Sequence, residues 1–82
     1  MSADNEVIIR RKQNGLYIIK HCSASSLVHA LNDLTPTEDE LTLNIIADNV
    51  DGLDNAIKKA EDWIEEYEEE GGIVEYGYRV AE

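Results

Sequence analysis

Eighty-two residues with 18 acidic and 7 basic side chains give a net charge of -11 and a pI near 4.4, enough chain for one domain with a small core. That balance argues against direct binding to nucleic acid or an anionic membrane, since both require cationic groups to displace counterions. No apolar run of about 18 residues and no signal-peptide pattern is present, and the single cysteine, Cys22, has no internal disulfide partner, so a cytoplasmic protein is expected.

The charge is unevenly placed. Residues 1–20 hold Arg10, Arg11, Lys12 and Lys20 against Asp4 and Glu6, a balance of +2, and the remaining 62 residues hold 3 basic and 16 acidic groups, or -13. A basic N-terminal hairpin attracted to an acidic helix is expected, in preference to head-to-tail self-association.

In chain order, residues 1–5 read as a short lead-in. Residues 6–12 and 16–21 are rich in Val, Ile and Tyr and flank Gln13-Asn14-Gly15, a hairpin signal because Asn and Gly tolerate positive φ. A three-residue loop ending at Gly15 puts Val7, Ile9, Tyr17 and Ile19 on one face and Arg10, Lys12 and Lys20 on the other; a two-residue loop mixes the faces. Residues 21–34 open with small polar residues, and Leu27, Ala30, Leu31 and Leu34 then follow helical spacing, which predicts a short helix ended by Pro36. Thr35-Pro36-Thr37-Glu38 opens a helix in its own right, yet Leu41, Leu43, Ile45 and Ala47 alternate with Thr42, Asn44, Ile46 and Asp48 as a strand does. The two signals are reconciled as one acidic turn over 36–40 followed by a strand, rather than a continuous helix.

Residues 51–72 read as a long acidic helix. Leu53, Ala56, Ile57, Ala60, Trp63, Ile64 and Tyr67 share one face at 3.6 residues per turn. Asp54, Lys58, Glu61, Asp62, Glu65 and Glu69 occupy the other. Asp51 and Asp54 are placed to cap the first turn, and Gly71 to close the last. Residues 73–80 alternate again, with Val74, Tyr76, Tyr78 and Val80 on one side; Gly77 marks a gap or a bulge. The order strand, strand, short helix, strand, long helix, strand predicts an α+β domain, an antiparallel or mixed sheet with helices packed on one face. The other sheet face would be partly exposed or used for dimerisation.

No catalytic signature is present, and no cofactor or metal is expected. His21, Cys22 and His29 match no zinc spacing. Asp48, Asp51 and Asp54 lack the calcium-loop pattern, and Ser23, Ser25 and Ser26 have no base or Gly-rich elbow. The run Glu65, Glu66, Glu68, Glu69 and Glu70 is the feature that local stability does not explain. It crowds a helix C-terminus, where the macrodipole disfavours each negative charge by several tenths of a kcal/mol. A solvated face is one reading and an acidic binding surface is the other, with Asp54, Glu61, Asp62, Glu65, Glu66 and Glu69 as its contact residues and Trp63 or Tyr67 as apolar anchors.

The opening MSADN with its Asn-Gly hairpin, the segment GLDNAIKKAEDWIEE and the closing VEYGYRV resemble a group of small uncharacterised proteins of phages and prophages. Those begin M-S-A-D-N and end in an amphipathic helix followed by an E-Y-G-x-R-like strand. The likeness covers residues 1–20 and 51–80 and implies no activity or catalytic residue. It implies a viral context in the host cytoplasm, where small acidic proteins inhibit nucleic-acid-binding or defence proteins, restriction and CRISPR nucleases among them, by occupying their grooves. The expected protein is thus a non-enzymatic acidic module that binds a basic host protein; the alternative is a self-associating structural or regulatory module, possible as a homodimer.

Overall fold

The computed structural model describes residues 5–23 and 38–81. Strand β1 (Asn5–Arg11) turns back into β2 (Tyr17–Ser23); a four-residue helix α1 (Glu38–Leu41) leads into β3 (Thr42–Val50), the long helix α2 (Leu53–Glu69) follows, and β4 (Tyr78–Ala81) ends the order. The fold is α+β, with one mixed sheet of order β3-β2-β1-β4. β1 runs antiparallel to β2 and parallel to β4, and β2 runs antiparallel to β3.

The hairpin takes the three-residue loop. Arg11 pairs with Tyr17, Lys12 and Gly15 close the turn through Gly15 N to Lys12 O at 3.0 Å, and Gly15 sits at φ 85, a left-handed conformation that a glycine reaches without Cβ strain. With side chains alternating along each strand, the pairs Val7–His21 and Ile9–Ile19 face α2. Ile8, Arg10, Lys20 and Cys22 face away.

α2 lies across the first of these faces. Ala56 and Ala60 are fully buried against Val7, Ile9, Ile19, Val50 and Val74, with Ile57, Trp63, Ile64 and Tyr67 packed around them. Two alanines at i and i+4 let the helix backbone approach the sheet closely, and the larger side chains fill the margins. Leu53 is the weak member of the stripe, left exposed at the first turn. A second buried cluster, Ile8, Cys22 and Ala81, sits on the far face.

Several expectations are corrected. β2 runs on through His21, Cys22 and Ser23, so a helix does not begin at His21; the remainder of the helix expected over 21–34 lies outside the described residues. α2 is bounded by Gly52, with no side-chain capping bond. Asp51 therefore does not cap it: the Asp51 carbonyl is taken by the Asn55 side-chain amide at 2.7 Å, and the first helical bond runs from Ala56 N to Gly52 O. The last strand is confined to residues 78–81. Asn5 holds the preceding residues off the sheet: its side chain donates to Ile73 O and accepts from Glu75 N, both at 3.0 Å, and its carbonyl accepts from Tyr76 N at 3.1 Å. Asn5 is accordingly a buried strand residue rather than part of a lead-in.

The acidic turn and strand over residues 38–50 are present, but the alternation is broken. Tyr17 to Cys22 pair with Val50 to Thr42 through three register shifts, so β3 carries extra residues and bulges repeatedly. Asn49, at φ 54, lies at one of them. The consequence is that Ile46 and Ala47 both pack on the α2 side while Leu43 and Ile45 are exposed.

Candidate functional site, an acidic helix beside a self-neutralised sheet

Among the described residues, four of the basic groups of the sheet and hairpin, all but Arg11, are paired with acids outside α2. Arg10 pairs with Glu38; Lys20 reaches Asp39 at 2.8 Å and Glu38 at 3.4 Å; Lys12 reaches Asp48 at 2.8 Å and Arg79 reaches Glu6 at 2.9 Å. Because Arg10 and Lys20 project from the face opposite α2, the acids that meet them come from α1. This corrects the expected attraction between hairpin and long helix. Arg10, Lys12 and Lys20 of the hairpin are neutralised by Glu38, Asp39 and Asp48.

Electrostatics follow the geometry. The hydrogen bond to Asp39 and the nearby Glu38 outweigh burial and raise the Lys20 ammonium, and hydrogen bonding to Glu38 raises the Arg10 guanidinium. Burial alone would raise the Glu38 carboxyl, but Arg10 and Lys20 hold it below its ordinary value. Asp39 and Asp48 are lowered by their lysine partners.

α2 is different. Residues 53–70 contain eight carboxylates and two lysines, so they carry -6 of the total -11. Among the described residues no ion pair involves any of those carboxylates. The helix ends in a Schellman arrangement, Gly72 N to Tyr67 O at 2.9 Å and Gly71 N to Glu68 O at 3.0 Å, with Gly71 at φ 95. No basic residue occupies the last turn.

The predicted contact residues are all exposed, and at 100° per residue they fall in one arc of about 140° on the solvent side of α2, flanked by the two edges of the sheet. At 100° per residue, Asp54, Glu61, Glu65 and Glu68 fall on the side of α2 towards β4, where Glu61 accepts a hydrogen bond from the Tyr78 hydroxyl at 3.3 Å. Asp62 and Glu66 fall on the β3 side and share a shallow depression with Ile46, Ala47, Lys59 and Trp63. Glu69 sits on the crest between them. Lys59 belongs with the β3 side, while Lys58 lies on the crest beside Glu65 and Glu69, so the β4 side is the more acidic one.

Trp63 and Tyr67 are partly buried against the core, Trp63 with a surface in the β3-side depression. Their rings stack at 4.8 Å with planes 12° apart, and His21 closes on them at 4.9 and 5.4 Å. Tyr67 also lies over Gly72, where an added Cβ would come within 2.3 Å of the ring. His21 is buried, its Nε2 has no hydrogen-bond partner, and burial lowers its basicity. Cys22 projects from the opposite face, bonded to the Thr42 hydroxyl at 3.6 Å and pushed up in pKa by burial. Adjacent strand residues cannot bring His21 and Cys22 to one ion, and His29 lies outside the described residues. Among the described residues no helix is long and apolar enough to cross a membrane.

Sequence reasoning missed the Arg10–Glu38–Lys20 network, although the +2 hairpin and the acidic residues 38–40 carried its charge signal. The role of Asn5 had no comparable signal. Comparison with known proteins finds no family model, no curated protein and no solved structure that this chain matches.

Proposed function

We propose that the chain is a non-enzymatic interaction protein whose acidic helix α2 binds a basic surface of another protein. The observation that carries this reading is the segregation of charge: Arg10, Lys12, Lys20 and Arg79 are paired internally, whereas the α2 carboxylates have no ion-pair partner among the described residues. Those charges also stand at a helix terminus that disfavours them, so they are retained at a local cost. A basic protein surface, of the kind that takes nucleic acid, complements them and associates faster for it. The resemblance to phage proteins extends the proposal to inhibition of a host nucleic-acid-binding or defence protein, a restriction or CRISPR nuclease included, by polyanion mimicry.

The test is capture from a bacterial lysate with a tagged chain and with its Glu65→Lys, Glu66→Lys, Glu69→Lys variant. Basic, nucleic-acid-binding proteins released by salt should be retained by the first and lost by the second, with circular dichroism unchanged. Equal capture by both overturns the proposal.

A second reading, self-association through the sheet, is favoured by the exposure of Leu43 and Ile45 at 60% and 55% on edge strand β3. It requires a dimer in light scattering that is insensitive to salt. The three register shifts in β3 oppose it, because a bulged edge pairs poorly.

A further inference from the structure

We infer that the outer edge of β4, bordered by the more acidic side of α2, accepts an extended basic segment of the partner as a fifth strand. This rests on the reading of α2 as a surface for a basic partner and adds the docking mode and the chemistry of the docked segment.

The sheet order leaves β4 at an edge. Val7 N donates to Gly77 O at 2.8 Å, so residues 77, 79 and 81 turn their backbone groups towards β1, and Tyr78 and Val80 turn theirs outward. Those two residues offer two donors and two acceptors in strand geometry, with no backbone partner among the described residues. Their side chains lie on the α2 side of the sheet and are 40% and 37% exposed. The other edge, β3, is bulged throughout; β4 is the edge whose register is regular.

The occupant follows from charge. An added strand lies about 4.8 Å beyond β4 and presents alternate side chains to each face. On the α2 face those side chains enter the field of Glu61, Glu65 and Glu68, with Glu61 already tied to Tyr78. Lysine or arginine fits there at the Tyr78 end, with its stem over the Tyr78 ring and its charge at the carboxylates, whereas the Val80 end lies beside Arg11 and suits an uncharged residue. A second copy of this chain does not fit. Antiparallel pairing of β4 with another β4 has its two-fold axis normal to the sheet, which sets the two acidic rows on the same face and opposite one another.

The probe is an end-blocked eight-residue peptide alternating lysine and valine, titrated by calorimetry at low salt and followed in the amide spectrum of the labelled chain. The amide shifts on wild-type protein should concentrate at residues 78–81. Val80→Pro removes an outward N–H that the sheet does not use and should weaken binding at least tenfold with the fold intact; Glu61→Gln, Glu65→Gln, Glu68→Gln should weaken it comparably and flatten the salt dependence. Binding unaffected by Val80→Pro, with shifts confined to α2, overturns the edge site and leaves the acidic-surface reading standing. Absence of peptide binding while basic proteins are still captured does the same, and loss of both overturns both. A probe-free dimer that Val80→Pro dissolves would assign the edge to a second copy and overturn the inference.

Discussion

Arg10 and Glu38, 28 residues apart in sequence, form an ion pair on the face of the sheet opposite α2, and Lys20 lies on the other side of the same carboxylate. Glu38 thus lies between two cations on the same sheet face, hydrogen-bonded to Arg10 and 3.4 Å from Lys20, whose closer partner is Asp39 at 2.8 Å. Replacing Glu38 with alanine should destabilise the protein by about 1–2 kcal/mol, less than for a fully buried pair because Arg10 is substantially exposed. Replacing Arg10 with methionine should cost less, since Glu38 keeps Lys20. Urea unfolding midpoints at neutral pH separate the two.

The same network sets the acid limit. A carboxyl held below its unfolded value near 4.5, as Glu38 is, contributes stability above that value and loses it as pH falls through the folded value. Asp39 and Asp48 are lowered from 3.8 and act in the same direction at lower pH. Thermal stability should therefore fall as pH drops below about 4.5, and less steeply in Glu38→Gln.

His21 gives a second pH window of separate origin. Burial lowers its pKa from 6.5, so the unfolded chain takes up the proton first and stability declines as pH falls from 6.5 towards the folded value. His21→Phe keeps a ring against Trp63 and Tyr67 and removes the unpartnered Nε2. The variant should lose the slope that sets in as pH falls below 6.5 and match or exceed wild-type stability on that side of the window. A steeper slope in the variant would contradict a neutral His21.

Asn5 ties residues 73–76 to the start of β1 through three hydrogen bonds. Asn5→Ala strips partners from Ile73 O and Glu75 N and should cost about 1–3 kcal/mol. Hydrogen exchange at Glu75 should accelerate more than at Ile19, because the release is local to the β4 approach.

At the other end of the helix, Gly71→Ala places a Cβ in left-handed backbone at φ 95 and should cost about 1 kcal/mol. Gly72→Ala should cost more, since its Cβ meets the Tyr67 ring at 2.3 Å and disturbs the Trp63 stack. Tryptophan fluorescence should change in the second variant alone.

Charge reversal at Glu65, Glu66 and Glu69 offers the sharpest separation of stability from binding. Lysines near the helix C-terminus complement the macrodipole by about 0.3–1 kcal/mol each at low ionic strength and reduce self-repulsion on a chain of charge -11. The melting temperature should rise as capture of a basic partner is lost. A fall in both would mean that the carboxylates serve the fold.

What the sequence determined by itself was everything that repeats at short range. The hairpin with its loop ending at Gly15, the apolar stripe of α2 and the closing role of Gly71 follow from periodicity and from the φ tolerance of glycine, and each is in place. The short acidic turn and the strand after it were legible because β-branched content outweighed a helix-opening motif. Pairings across long separations were decided only by the tertiary structure. The cations of the hairpin were visible, but which acids they meet depended on the strand order and on α1 reaching the face that α2 leaves free. Alternation over residues 73–80 was real in the sequence, yet Asn5 captured the backbone groups that a strand would have used. The six acidic contact residues were legible as one exposed arc of the helix; what the sheet beneath adds is which strand each flank of that arc borders, β3 beside Asp62 and Glu66 and β4 beside Glu61.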